Sequence, residues 1–146
     1  MSKIKNQELV LTDYRLDSGH FEALGISFLI EPEIVTRITL INCGLDEAAT
    51  TSLFKAVKSL KCIEYLSLCK TDLSHESVIQ LKDLVTNSGG WGLKELKLKD
   101  VKMNPLVAEY FFKMLTERSY LKTLAIVNYN FTEKTFSYFS EYFRIN

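Results

Sequence analysis

Residues 66–73 read LSLCKTDL, with leucine at the first, third and eighth positions and threonine at the sixth. The same spacing of apolar and small or polar residues returns at four other places: residues 9–16 (LVLTDYRL), 38–45 (ITLINCGL), 96–103 (LKLKDVKM) and 124–131 (LAIVNYNF). The first positions of successive segments lie 29, 28, 30 and 28 residues apart. Because a fixed period of this length is typical of stacked strand-and-helix units, the sequence predicts a repeat architecture.

The second half of each unit carries the signals of a helix. The residue after each segment has a short side-chain oxygen that can cap a helix N-terminus. These residues are Asp17, Asp46, Ser74, Asn104 and Thr132. Positions 4, 7 and 11 after each cap share one helical face and are apolar except at Thr50. We expect the following residues in the core: Phe21, Leu24, Phe28, Leu53, Val57, Val78, Leu81, Val85, Ala108, Phe111, Leu115, Phe136, Phe139 and Phe143.

With strand, turn and amphipathic helix at this period, the chain resembles the ribonuclease-inhibitor class of leucine-rich repeats. The resemblance covers roughly residues 6–146 and implies an α/β fold, a right-handed solenoid shaped as a horseshoe arc. It implies five strand–helix units in one domain over residues 1–146, with a parallel sheet on the concave face. The units begin near residues 6, 35, 63, 93 and 121. At the sixth position, where this family favours Asn or Cys in a buried row, only Cys43 matches.

Composition excludes several classes of function. The 146 residues carry 18 basic and 18 acidic side chains, and this balance argues against nucleic-acid binding. No apolar run approaches the roughly 20 residues that cross a bilayer, and the first residues lack the apolar stretch of a signal peptide. Three cysteines without a Cys-x-x-Cys motif fit a reducing compartment. We therefore expect a cytoplasmic protein (in the host cytosol for a bacterial effector) with neither membrane nor nucleic-acid partners.

Residues for catalysis are few. His20 and His75 both fall in the first turn of a predicted helix, where solvated turn residues are the simpler interpretation. Cys69 lacks a cationic neighbour that would activate it as a nucleophile, so we interpret it as a small apolar side chain. The chain has no His-Glu-x-x-His motif and no glycine-rich phosphate loop with its lysine. We expect no enzyme activity, no cofactor and no metal.

The concave face is the predicted binding surface, because strand residues between the apolar positions point away from the core. The predicted protein-binding residues there are Arg37, Thr39, Ile41, Tyr65, Ser67, Cys69, Lys97, Lys99 and Val127. Apolar and aromatic side chains with polar neighbours are typical of binding hot spots, although single exposed apolar residues are also common on any protein surface. The lysines either steer an acidic partner or, in the simpler interpretation, keep exposed strands soluble.

Two further features lie away from that face. Trp91 sits among glycines between the third helix and the fourth strand. It is either a projecting anchor for a partner, and so a tenth candidate binding residue, or a ring folded over the third helix. The last helix combines the core positions with Tyr138 and Tyr142 on a second face. Its aromatic residues favour an end that caps itself; the alternatives are contact with another chain and continuation into further repeats.

Together these features favour a non-enzymatic protein–protein interaction module, a scaffold that binds a protein partner through its concave face. The alternative is a structural subunit of a larger complex that uses its terminal and outer helices. We expect a monomer, or a weak homodimer through the last helix.

Overall fold

The computed structural model describes residues 7–86, 93–117 and 121–145. Five strands alternate with five helices along the chain, as the repeats predict. The strands are β1 (Glu8–Thr12), β2 (Arg37–Ile41), β3 (Tyr65–Cys69), β4 (Glu95–Lys99) and β5 (Thr123–Val127). The helices are α1 (Ser18–Ile30), α2 (Glu47–Val57), α3 (His75–Thr86), α4 (Pro105–Glu117) and α5 (Glu133–Ile145).

The strands form one open sheet in the order of the chain, and every neighbouring pair is parallel. The pairing keeps the repeats in register, so that Leu66 of β3 lies between Ile38 of β2 and Leu96 of β4. Equivalent positions of the units therefore form rows that cross the sheet. This confirms the predicted α/β class, the five strand–helix units and the parallel sheet.

The core lies between the sheet and the inner faces of the helices. Apolar strand residues such as Leu68 join one buried cluster with helix residues such as Leu53 and Phe111. Most of the positions predicted for the core face of the helices are buried: Phe21, Phe28, Leu53, Val57, Val78, Leu81, Val85, Ala108, Phe111 and Leu115. Thr50 is buried as well, because its hydroxyl donates to the Asp46 carbonyl over 2.8 Å and stays satisfied without water.

All five predicted N-caps are confirmed. In each, the side-chain oxygen accepts from the backbone N–H three residues further on, at 2.8 to 3.2 Å. The capped N–H groups belong to His20, Ala49, Ser77, Val107 and Thr135. Such a bond satisfies a donor that has no partner within the helix, so every helix begins where its own unit specifies.

Every strand is followed at once by a residue in the left-handed backbone conformation, with φ between 53° and 59°. These residues are Asp13, Asn42, Lys70, Asp100 and Asn128. Asp and Asn are the non-glycine residues that tolerate this conformation best, and they hold four of the five positions. Two neighbouring pairs are also joined by side-chain hydrogen bonds, from Asn42 Nδ2 to Asp13 Oδ1 (2.6 Å) and from Asn128 Nδ2 to Asp100 Oδ1 (3.0 Å).

The sixth positions of the units form a row beneath the strand ends that is buried only in the middle of the sheet. Cys43, Thr71 and Val101 are buried, whereas Tyr14 in the first unit is exposed. The Cys43 thiol lies 3.5 Å from the carbonyl oxygens of Leu11 and Ile41. This row is the one that the family resemblance implies to be buried, and Tyr14 departs from it because no described unit precedes the first.

One core prediction is wrong, that for Phe136 in the last helix. Phe136 is 56% exposed, although the equivalent positions of the four earlier helices are buried. The reason is that this position faces the following unit, and no described helix follows α5. Phe139 and Tyr138 are half-buried and pack against the core, so Tyr138 does not lie on a separate outer face. The side chains of Tyr142 and Phe143 lie outside the described part of the structure.

Candidate protein-binding surface

The open face is the face of the sheet that points away from the core, and it consists of three rows of side chains. On β2 to β5 the rows contain Arg37, Tyr65, Glu95 and Thr123 (first row), Thr39, Ser67, Lys97 and Ala125 (second row), and Ile41, Cys69, Lys99 and Val127 (third row). All of these side chains are exposed or half-buried, whereas the residues between them on the strands face the core.

The structure brings nine of the predicted binding residues together on this face. Four adjacent parallel strands carry them, and strands in a sheet lie about 4.8 Å apart. The third row therefore runs roughly 14 Å from Ile41 to Val127, which is a patch of the size that a helix or an extended peptide can cover. The tenth predicted residue, Trp91, lies outside the described residues.

An arginine stacked on a tyrosine begins the first row. The Arg37 guanidinium carbon lies 4.0 Å from the centroid of the Tyr65 ring, within the range of a cation–π interaction. Stacking restrains the two side chains, and because both are half-buried the pair is still accessible. Arg and Tyr are enriched among residues that dominate binding energy, and ordering them beforehand lowers the entropy lost on binding.

Apolar side chains remain open to solvent along the third row. Ile41 is 42% exposed and Val127 is 37% exposed, and half-buried Cys69 lies on a strand between them. Nothing in the described residues covers these side chains. Apolar surface of this kind gains free energy when a partner removes it from water, at roughly 25 cal/mol per Å².

The fourth strand adds two positive charges at the centre of the open face. Lys97 and Lys99 are exposed, and neither has an ion-pair or hydrogen-bond partner among the described residues. By contrast, Lys94 is paired with Glu64 at 3.1 Å beside the sheet. Two unpaired ammonium groups beside apolar side chains are suited to an acidic rim on a partner.

The opposite charge lies on the first strand. Glu8 Oε1 accepts from the Thr39 hydroxyl over 3.1 Å, which ties β1 to β2 across the open face. On this face β1 therefore carries one acidic side chain, whereas β4 carries two lysines beside Glu95.

Two acidic side chains beside an open cleft have structural roles. An open cleft of about 710 Å³ beside the ends of β1 and β2 contains Asp13 and Asp17. However, Asp13 accepts from Asn42, and Asp17 caps α1. The backbone N–H of His20 donates to the Asp17 carboxylate and so lowers its pKa. No group of three or more metal-binding side chains occurs among the described residues.

The two histidines and Cys43 also make structural contacts. His20 Nδ1 accepts from the Asp17 backbone N–H over 3.1 Å and completes a capping box, and the His75 ring lies 4.7 Å from that of Tyr110. The Cys43 thiol is inside, as predicted, and burial raises its pKa. A raised pKa keeps the thiol protonated at neutral pH, which is the reverse of what a nucleophile needs.

Sequence analysis missed an apolar patch on α1. Ile26, Leu29 and Ile30 are exposed on its outer surface, away from the open face. Their signal was present in the sequence, because residues 18–30 carry apolar side chains on every side of the helix rather than on one. Sequence analysis also missed the left-handed row, whose signal is Asp or Asn at the fifth position of four units.

No protein-family model matches the chain, and no curated protein shows significant similarity to its sequence. Within the described ranges, no helix has the length and apolar character to span a membrane. The geometry and chemistry of the open face are therefore the basis for proposing a function.

Proposed function

We propose that the protein is a non-enzymatic interaction module of the leucine-rich-repeat kind, which binds a protein partner through the open face of its sheet. The observation that carries the proposal is the third row, where Ile41 and Val127 remain exposed although the residues beside them on the same strands face the core. The row lies beside the stacked Arg37–Tyr65 pair and the unpaired Lys97. An apolar centre with arginine, tyrosine and a polar rim has the composition of a binding hot spot.

The repeat itself supports this kind of function. The five parallel strands place equivalent side chains in rows, and stacked strand–helix units present an extended surface of this kind to a partner. A curved, right-handed solenoid with the open face on its concave side is the architecture we propose for it. The cytoplasm is the proposed location, in keeping with three free cysteines.

The proposal is tested by affinity capture from native lysate with mass spectrometry. The wild type is compared with the double variant Ile41→Glu/Val127→Glu, which places two charges in the apolar row. Leu106→Glu is the matched control, because Leu106 is 79% exposed on α4, away from the open face. All three proteins are first checked for the same circular dichroism spectrum and cooperative thermal unfolding.

We expect partners that the wild type and Leu106→Glu retain and that the double variant loses. A partner held equally by all three proteins would contradict the proposal and place the binding site elsewhere on the molecule.

One observation favours the second candidate, a structural subunit of a larger complex. Phe136 is exposed on α5, where its ring lies 6.0 Å from that of Phe131 at the end of the aromatic cluster. A subunit that docks this end against another protein would bury the ring. Phe136→Ser would then remove a partner that Ile41→Glu/Val127→Glu retains, which separates the two candidates in the same capture experiment.

A further inference from the structure

The first strand leaves one edge of the sheet free. Among the described residues β1 pairs only with β2. The Gln7 carbonyl accepts from the Arg37 N–H, and the Asp13 N–H donates to the Ile41 carbonyl over 3.0 Å. Gln7 and Asp13 are both odd-numbered. Because every second residue of a strand directs its N–H and C=O groups to the same side, the odd-numbered residues of β1 direct theirs towards β2.

The alternate residues of β1 therefore direct their backbone groups to the free edge. They are Glu8, Val10 and Thr12, because consecutive residues of a strand point their N–H and C=O groups to opposite sides. These groups are arranged symmetrically around Val10. A free row of this kind is a ready surface for pairing with another strand.

The side chains of β1 do little to prevent such pairing. Its sequence, Glu8 to Thr12, has one charged residue at its start, Glu8, and contains no lysine or proline, which commonly protect an edge strand. Val10 at its centre is 50% exposed.

Beneath this edge the first unit leaves core surface incompletely covered. The residues concerned are half-buried: Leu9, Leu11, Leu16 and Leu24. In the second and third units the equivalent side chains are no more than 2% exposed: Ile38, Leu40, Leu45, Leu53, Leu66, Leu68, Leu73 and Leu81. In those units a preceding strand and helix cover this surface. The surface at β1 is therefore shaped to receive another strand–helix unit.

We propose that β1 pairs antiparallel with β1 of a second copy of this chain, about a two-fold axis that passes between the two Val10 residues. The two Val10 residues then exchange hydrogen bonds, and Glu8 of each copy exchanges them with Thr12 of the other. This register places no like charges opposite each other. Each α1 lies beside the α1 of the second copy, and the end surface that includes Leu24 is covered.

Pairing of this kind closes the assembly. Each chain has one β1 edge, so the two-fold contact gives a dimer and no longer species. The other end of the sheet consists of β5 and α5, where the rings of Phe112, Tyr129, Phe131 and Phe139 pack on one another and Leu124 and Ile126 are half-buried. The β1 contact is thus distinct from a homodimer through the last helix. It joins two five-stranded sheets into one of ten strands, and it holds whether or not the open face binds a partner.

Sedimentation equilibrium over a range of protein concentrations tests the dimer. We expect a monomer–dimer equilibrium for the wild type. Val10→Pro removes an N–H that β2 does not use, and Val10→Lys places a charge at the centre of the edge; both should give monomers with unchanged circular dichroism. The matched control is Ala125→Lys, the same position of the repeat on the opposite edge strand, and it should remain dimeric.

Disulfide trapping tests the register. In an antiparallel pair with exchanged hydrogen bonds, opposing Cα atoms lie about 5.5 Å apart, within the range that a disulfide spans. Val10→Cys should therefore form a covalent dimer on mild oxidation, whereas Ala125→Cys should give no more than the wild-type background from the native cysteines.

Four results would overturn the inference. The wild type could stay monomeric, or dimers could survive both substitutions of Val10. Alternatively, dimers could be lost in Ala125→Lys alone or in Phe136→Ser alone. The last of these would assign the contact to α5. None of these outcomes depends on capture of a partner by the open face, so this inference and the proposed function can fail separately.

Discussion

The Arg37 guanidinium carbon lies 4.0 Å from the centroid of the Tyr65 ring, which stacks a residue of β2 on its neighbour in β3. The two residues are partners in the register of the sheet. The repeat therefore places the two residues side by side, because it brings equivalent positions of consecutive units together. The stacking links the part of the fold that sequence determines most directly to the surface that we propose to bind a partner.

A double-mutant cycle on this pair should show a coupling energy of about 0.5–1 kcal/mol, the size expected for a partly exposed cation–π contact. The variants are Arg37→Ala, Tyr65→Leu and their combination, and the measurement is urea unfolding followed by circular dichroism. Strictly additive effects of the two substitutions would show that the ring and the guanidinium do not interact in solution.

Two buried threonines should respond in opposite ways to replacement by valine. The Thr71 hydroxyl is buried and has no hydrogen-bond partner among the described residues, whereas the Thr50 hydroxyl donates to Asp46. An unpaired buried polar group costs about 1–3 kcal/mol. Thr71→Val should therefore raise the free energy of unfolding by about 1 kcal/mol, and Thr50→Val should lower it by about 1 kcal/mol. Urea unfolding measures both; a destabilised Thr71→Val would mean that its hydroxyl has a partner in solution.

Replacement of Lys70 by asparagine should stabilise the fold. Lys70 is the only member of the left-handed row that is neither Asp nor Asn. The left-handed conformation costs an ordinary residue about 1–2 kcal/mol, and asparagine adopts it more readily. We expect a gain of about 0.5–1 kcal/mol for Lys70→Asn in thermal or urea unfolding. Lys70→Val, with its branched Cβ, is the matched control and should destabilise the protein.

The three free cysteines should react with iodoacetamide at different rates. Cys43 is buried and burial raises the pKa of its thiol, whereas Cys62 and Cys69 are half-buried. Since the thiolate is the reactive form, Cys43 should be the last to be alkylated in the native protein. Peptide mass spectrometry over time measures the order. A bound partner should slow the reaction of Cys69 on the open face but not that of Cys62; equal protection of both would contradict the proposed site.

The first helix should lose stability in acid. The backbone N–H of His20 lowers the pKa of Asp17 in the folded state, so the unfolded chain binds the proton more tightly. The stabilising contribution is therefore present above the unfolded pKa of about 3.9 and is lost as the pH falls through the folded value. Asp17→Asn keeps the cap but cannot titrate there, so the stability difference between wild type and variant should shrink below pH 4. If the stability difference between wild type and Asp17→Asn did not change with pH, the Asp17 carboxylate could not be its source.

Much of the fold could be predicted because its signals are local. Leu66 and Leu68 specify a strand with one buried face, and Asp46 or Ser74 specifies where a helix begins, without reference to distant residues. Phe136 shows the limit of this reasoning. Its helical position is buried in every earlier unit, yet its exposure depends on what packs against the end of the array.

For the candidate site, the sequence predicted which residues lie on the open face but not how their side chains contact each other. Alternation along the strands was sufficient to place Ile41 and Val127 on the open face. The stacking of Arg37 on Tyr65 and the bond between Glu8 and Thr39 depend on side-chain rotamers, which spacing along the sequence does not specify.

The restriction of packing contacts to one unit and its immediate neighbours has a consequence for how the chain loses structure. Among the described elements, α2 contacts α1 and α3, β3 contacts β2 and β4, and no element reaches a unit two steps away. Loss of an end unit therefore exposes one interface and leaves the others intact, so melting can begin at either end and travel inwards. Hydrogen exchange would then show slow amides in β3 flanked by progressively faster ones, and a chain lacking one whole inner unit would still present matching surfaces for its remaining units to join.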